Sequence, residues 1–133
     1  DGPTRAAVRA RSLTDRCTID GSQPFATAAA AMLGATANVC IVGPEHVRQI
    51  PGKLFEQLAC GRPLLLLGPP GSDAERVVAG LAGVTTADLG DVDAISRALK
   101  ALDERTRPIG APPGFSVSET IDVLESALFS AIP

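Results

Sequence analysis

The residues of this chain best suited to chemistry lie between Ile50 and Ser72, in the run IPGKLFEQLACGRPLLLLGPPGS. Lys53 and Glu56 stand three apart, which makes them neighbours on one face of a helix. Gly52 and Lys53 precede the apolar part of that helix. The first N–H groups of a helix have no intrahelical acceptor, and they lie at the positive end of its dipole. Such a start holds an anion well.

The elements that must position these residues are legible around them. Pro51 suits the first helical position, where its missing N–H would have been an orphan in any case. Leu54, Phe55 and Leu58 form one apolar side, with Lys53, Glu56 and Gln57 on the other, and Gly61 stops the helix. Leu64 to Leu67 is a continuous apolar run, the pattern of a strand buried on both faces of a parallel sheet. A second glycine-rich loop, Gly68 to Ser72, follows it. Ser72 can cap a helix over 73–81, with Glu75 completing a capping box.

The rest of the chain alternates in the same way. Thr4 caps a helix reaching Leu13, with Arg5, Arg9, Arg11 and Arg16 along or after it as a solvated face. Cys17 to Asp20 reads as a short strand ended by Gly21-Ser22. Ser22 and Pro24 open an alanine-rich helix over 26–37, whose residues are strong helix formers small enough for close packing on a sheet. Asn38 to Val42 and Val84 to Ala87 are two further strands. Asp91 caps a helix from Val92 to about Glu104, with Val92, Ile95, Leu99 and Leu102 as its apolar repeat. A Pro- and Gly-rich loop over 107–114 leads to a last amphipathic helix. Ser116 and Glu119 form its capping box, and Val117, Ile121, Leu124, Leu128 and Ile132 its apolar face.

Four short strands alternating with helices imply parallel βαβ units, so the expected class is α/β, a Rossmann-like parallel sheet with flanking helices. Ligands of such sheets bind beyond the carboxyl ends of the strands. The two loops there with suitable chemistry are 43–53 and 68–72.

Composition sets limits on the role. The 133 residues make one domain or part of one. A net charge of −3 with its 12 basic residues scattered along the chain provides no basic field to collect nucleic-acid phosphates. Cys17, Cys40 and Cys60 form no C-x-x-C pair and are read as buried free thiols in a reducing compartment. His46 is the single histidine, and no second ligand stands at metal-binding spacing. No run of about 18 apolar residues occurs, and no signal peptide opens the chain. The expected location is cytoplasmic, with peripheral contact at the inner membrane left open.

The segment KLFEQLACGRPLLLLGPPGSDAERVV resembles the donor-binding segment of retaining glycosyltransferases of the GT-B fold, the glycosyltransferase family 4 group. Gly52, Lys53, Leu54, Glu56, Ala59, Gly61 and Pro63 match the Ser/Gly-Lys-Leu-x-Glu-x-x-Ala-x-Gly-x-Pro pattern of that family. The resemblance implies that residues 1–133 are the later part of a carboxyl-terminal donor domain, entered in mid-domain at Asp1-Gly2-Pro3. It implies a nucleotide-diphosphate sugar as donor substrate, with no further cofactor, and a sugar or lipid-linked acceptor held by an amino-terminal domain.

Carried over residue by residue, the backbone N–H groups of Gly52, Lys53 and Leu54 become donors to the diphosphate. Glu56 accepts hydrogen bonds from the ribose hydroxyls, and Lys53 adds charge. Ile19, Asp20 and Gly21 come near the base, where an ordinary β-to-α turn is the plain alternative. Gly71 and Ser72 come near the sugar, where a capped turn explains them equally. The family's arginine and lysine that clamp the departing diphosphate precede the Gly-Pro turn, so the catalytic residues are not assigned. Relatives commonly carry a second glutamate eight positions before the helix glutamate; here that position is Arg48, and Glu45 lies three residues earlier. Two alternatives share the fold: a nucleotide-sugar 2-epimerase, and a degenerate GT-B-like binding domain without catalysis.

Overall fold

The computed structural model of the chain describes residues 2–103. The expected loop over 107–114 and the amphipathic helix over 116–132 lie outside the described residues. Those described divide after Ala30 into two compact units.

The first unit opens with helix α1, Gly2–Ala10. The expected helix is three residues shorter at its carboxyl end, because Ser12 adopts a left-handed φ of 53°. Ser12 N–H donates to the Arg9 carbonyl at 3.0 Å and Leu13 N–H to the Val8 carbonyl at 3.0 Å. This is a Schellman closure with serine where glycine is usual. The strand expected over 17–20 does not form. A strand needs a neighbour to pair with, and the Ile19 carbonyl instead accepts from Arg5 Nη2 at 2.6 Å. Helix α2, Phe25–Gly34, spans the division between the units and has no buried residue. Its alanines supply helix propensity but little apolar area to bury.

The second unit is built on three parallel strands in the order β1-β2-β3: Asn38–Ile41, Leu64–Gly68 and Val84–Asp88. The chain is thus an α/β protein with a Rossmann-like parallel sheet and flanking helices. Among the described residues the sheet has three strands instead of the expected four. All five residues of β2 are buried, as its unbroken apolar run requires.

Helices α3, Gly52–Ala59, and α4, Asp73–Val78, connect the strands. They cover one face, where Leu54, Leu58, Ala74 and Val78 pack with Cys40, Val42, Leu64 and Leu66. Helix α5, Val92–Asp103, covers the other with Ala98 and Leu102 against Leu65 and Leu67. Its buried seam runs through Ala98 and Leu102 with Ile95 packed beside it, whereas Val92 and Leu99 remain exposed.

The thiols also depart from expectation. Cys40 is buried, Cys60 is half-buried and Cys17 is exposed, all three free. Burial pushes the Cys40 thiol above its ordinary value. Cys60 is raised as well, by desolvation first and then by the Glu56 carboxylate, against an opposing pull from Arg62. A mild alkylating reagent at pH 8 should therefore label Cys17 first and Cys60 more slowly, and reach Cys40 only on unfolding. Mass spectrometry of the labelled protein reads that order, and early labelling of Cys40 would contradict the packing of β1.

Candidate functional site

Two loops meet at the carboxyl ends of the strands. The loop after β1 begins with a short 3-10 turn, Pro44–His46, and continues to Pro51. The loop after β2 runs from Pro69 to the Ser72 cap of α4. They are stitched together where Asp73 N–H donates to the Val47 carbonyl at 2.9 Å. Next to this junction lies a cavity of about 370 Å³ lined by Ile41, Val42, His46, Gln49, Ile50 and Pro51. Its walls are largely apolar, with one imidazole and one carboxamide. His46 Nε2 lies 3.3 Å from Glu45 Oε1, and both side chains are well exposed.

Pro51 joins this cavity to α3. It has φ −63° and ψ 132° and stands just outside the helix as its N-cap, one position before the expected place. The extended ψ turns the chain so that the helix begins at Gly52. Leu54 N–H donates to the Pro51 carbonyl at 2.9 Å. That contact leaves the N–H groups of Gly52 and Lys53, both exposed residues, as the open donors of the first turn. Leu54 is 0% exposed and anchors the helix from beneath. A Cβ on Gly52 would meet nothing within 4 Å, so open space lies beside this amide.

Glu56 is half-buried one turn into α3. Among the described residues it has no ion-pair partner, Lys53 included. Gln57, expected on the polar side, is buried, and Phe55, expected on the apolar side, is 40% exposed. The cause lies in the sheet. Asn38 and Val42 direct their N–H groups to the Pro63 and Leu67 carbonyls of the neighbouring chain segment, so the intervening Val39 carbonyl faces the edge of β1 away from β2. Gln57 Nε2 donates to it at 3.1 Å. The Gln57 Oε1 is buried with no hydrogen-bond partner among the described residues, an unfavourable feature that the gain from capping the carbonyl must offset.

The second helix start at this end of the sheet is closed. Glu75 N–H donates to Ser72 Oγ at 3.3 Å, and the Glu75 carboxylate accepts from Gly71 N–H. The expected capping box is present, with its return bond shifted from Ser72 to Gly71, whose φ is +75°. Ser72 is 0% exposed, so its side chain is committed to the cap. Gly21 lies in the first unit, exposed and outside any regular element. Arg48 is an exposed residue of the loop after β1. Gly52, Lys53, Leu54 and Glu56 are brought together on α3. Gln49 and Ile50 lie within the expected loop 43–53 but were not singled out, and the cavity wall at Ile41 lies outside it, because the sequence reading weighed charge and helix starts but not apolar lining.

Among the described residues, no group of three or more His, Cys, Asp and Glu side chains could hold a metal ion. No described helix is long and apolar enough to cross a membrane. Comparison with protein-family models, with curated proteins and with solved structures finds no match.

Proposed function

We propose that this chain is the donor-binding part of a glycosyltransferase, holding a nucleotide-diphosphate sugar at the start of α3. The observation that carries the reading is the pairing of two amides, at Gly52 and Lys53, left open among the described residues, with a carboxylate one turn later at Glu56 that has no ion-pair partner among them. The amides and the Lys53 ammonium receive the diphosphate, and Glu56 accepts from the ribose hydroxyls. The adjoining cavity at Ile41, His46, Gln49 and Ile50 gives the ligand a largely apolar wall to lie against. Sugar transfer builds negative charge on the departing diphosphate, which donors fixed in advance stabilise most effectively. The acceptor, a sugar or a lipid-linked sugar, belongs to a further domain of the enzyme.

Calorimetric titration of the protein with a series of ligands tests this reading. A ribonucleoside diphosphate should bind more tightly than its 2′,3′-dideoxy analogue by about 1–3 kcal/mol, the worth of hydrogen bonds to a charged acceptor. The corresponding nucleoside, lacking both phosphates, should not bind measurably. Equal affinity for all three would remove the reading. A second reading, binding without transfer, rests on Arg48 standing where a carboxylate would flank the sugar. Nucleotide binding together with an absence of turnover on every nucleotide sugar would favour it.

A further inference from the structure

The first unit contains a second cavity, of about 230 Å³, lined by Arg5, Val8, Arg9, Thr14, Cys17 and Ile19. Two features create it. The Schellman closure at Ser12 turns the chain back along α1, and Arg5 Nη2 then fastens the returning segment at the Ile19 carbonyl. Arg5 and Arg9 are four apart, one turn of α1, and so project from the same face. Neither forms an ion pair among the described residues, although Asp15 and Asp20 belong to the same unit. Arg5 spends one N–H on the Ile19 carbonyl and has others to give; a guanidinium carries five donors in a fixed fork.

The charge is also uneven along the sequence. The protein carries a net −3, yet residues 2–30 hold Arg5, Arg9, Arg11 and Arg16 against Asp15 and Asp20. A concave site with two unpaired guanidinium groups, a hydroxyl at Thr14 and short apolar walls at Val8 and Ile19 matches a tetrahedral oxyanion. Guanidinium forks suit the paired oxygens of phosphate.

We infer that this cavity is a second anion site, taking a phosphoryl group through Arg5 and Arg9 independently of the start of α3. Arg9 is the informative position, since its side chain supports no described contact of the fold. The probe is inorganic pyrophosphate, followed by nitrogen-15 NMR of the whole protein at constant ionic strength. Saturable shifts are expected at the arginine side-chain resonances of Arg5 and Arg9 and at the Thr14 and Cys17 amides. Arg9→Gln should weaken binding at these resonances about tenfold or more, the scale of one charged hydrogen bond. Arg97→Gln, on α5, should leave it unchanged. Because Arg5 also fastens the loop, Arg5→Lys serves in its place: it retains the charge, loses the fork and should bind severalfold more weakly while the Ile19 amide keeps its position in the spectrum. The inference is overturned if Arg9→Gln binds within twofold of the parent, if Arg97→Gln weakens binding equally, or if chloride at the same ionic strength produces the same shifts. Failure here leaves the α3 reading intact, since shifts at Gly52 and Lys53 are scored separately in the same spectra.

Discussion

Replacing Leu54 by alanine should cost about 2–5 kcal/mol of folding stability, the range for emptying a fully buried leucine site. Leu54 is 0% exposed and packs in the cluster that joins α3 and α4 to Cys40, Val42, Leu64 and Leu66. The loss has two parts, the transfer of the removed carbons and the cavity left among neighbours that cannot collapse. That cavity would be hard to refill. β2 is buried along its whole length between two layers, and the parallel ladders on both sides hold it in register. Since a domain is stable by only about 5–15 kcal/mol, such a loss is a large fraction of the total. Urea unfolding followed by circular dichroism measures it. Leu99→Ala, at a site that is 49% exposed, serves as the comparison and should stay within about 0.5 kcal/mol. A cost at Leu54 no larger than at Leu99 would mean that α3 does not seat on the sheet as described.

The same residue shows how far the sequence could be read. Leu54 and Leu58 are four apart and were legible as buried, and so was β2, because burial on both faces leaves an apolar run that no amphipathic helix would have. The cap at Ser72 and Glu75 was legible for a local reason: both partners lie within one turn, and no distant residue takes part. What failed depended on distant partners. Helical spacing allows the buried arc of α3 to widen from Leu54 and Leu58 toward Phe55 or toward Gln57, and residue type favoured Phe55. The winning term was a carbonyl on β1, at Val39, which needed a donor from the helix above it. Nothing within α3 announces that need. Cys17 to Asp20 misled in a similar way. Its residues tolerate an extended backbone, but extension becomes a strand only with a neighbour, and Arg5 takes the carbonyl that a neighbour would have used.

For the candidate site, the structure shows which of the expected groups are left open and which are already engaged. Three amides were expected at the start of α3, and the Pro51 carbonyl takes one of them. Two loops at the strand ends, 43–53 and 68–72, were expected to carry suitable chemistry. The later one spends Gly71 N–H on Glu75 and buries Ser72. The positive end of α3 is therefore the open one, and the apolar cavity beside Pro51 adds a wall that charge patterning could not reveal.

Glu56→Ala should weaken nucleoside diphosphate binding by about 1–3 kcal/mol while leaving folding stability nearly unchanged. The two effects separate because Glu56 makes no ion pair among the described residues, and alanine is the better helix former. The decisive form of the test is a double cycle. If the carboxylate accepts from the ribose diol, then removing the diol and removing the carboxylate delete the same bonds. Glu56→Ala should then cost nothing further with a 2′,3′-dideoxy ligand. An undiminished penalty would mean that Glu56 acts on the ligand by charge alone, and no penalty with either ligand would remove it from the site. An independent readout locates the carboxylate without any nucleotide. Burial raises the thiol of Cys60, the C-cap of α3, and the Glu56 carboxylate one turn earlier raises it further. Its removal should ease ionisation of Cys60 and speed its alkylation near pH 8, while Arg62, which pulls in the opposite direction, remains in place. A Cys60 rate that does not respond would show that the side chain at position 56 points away from that turn.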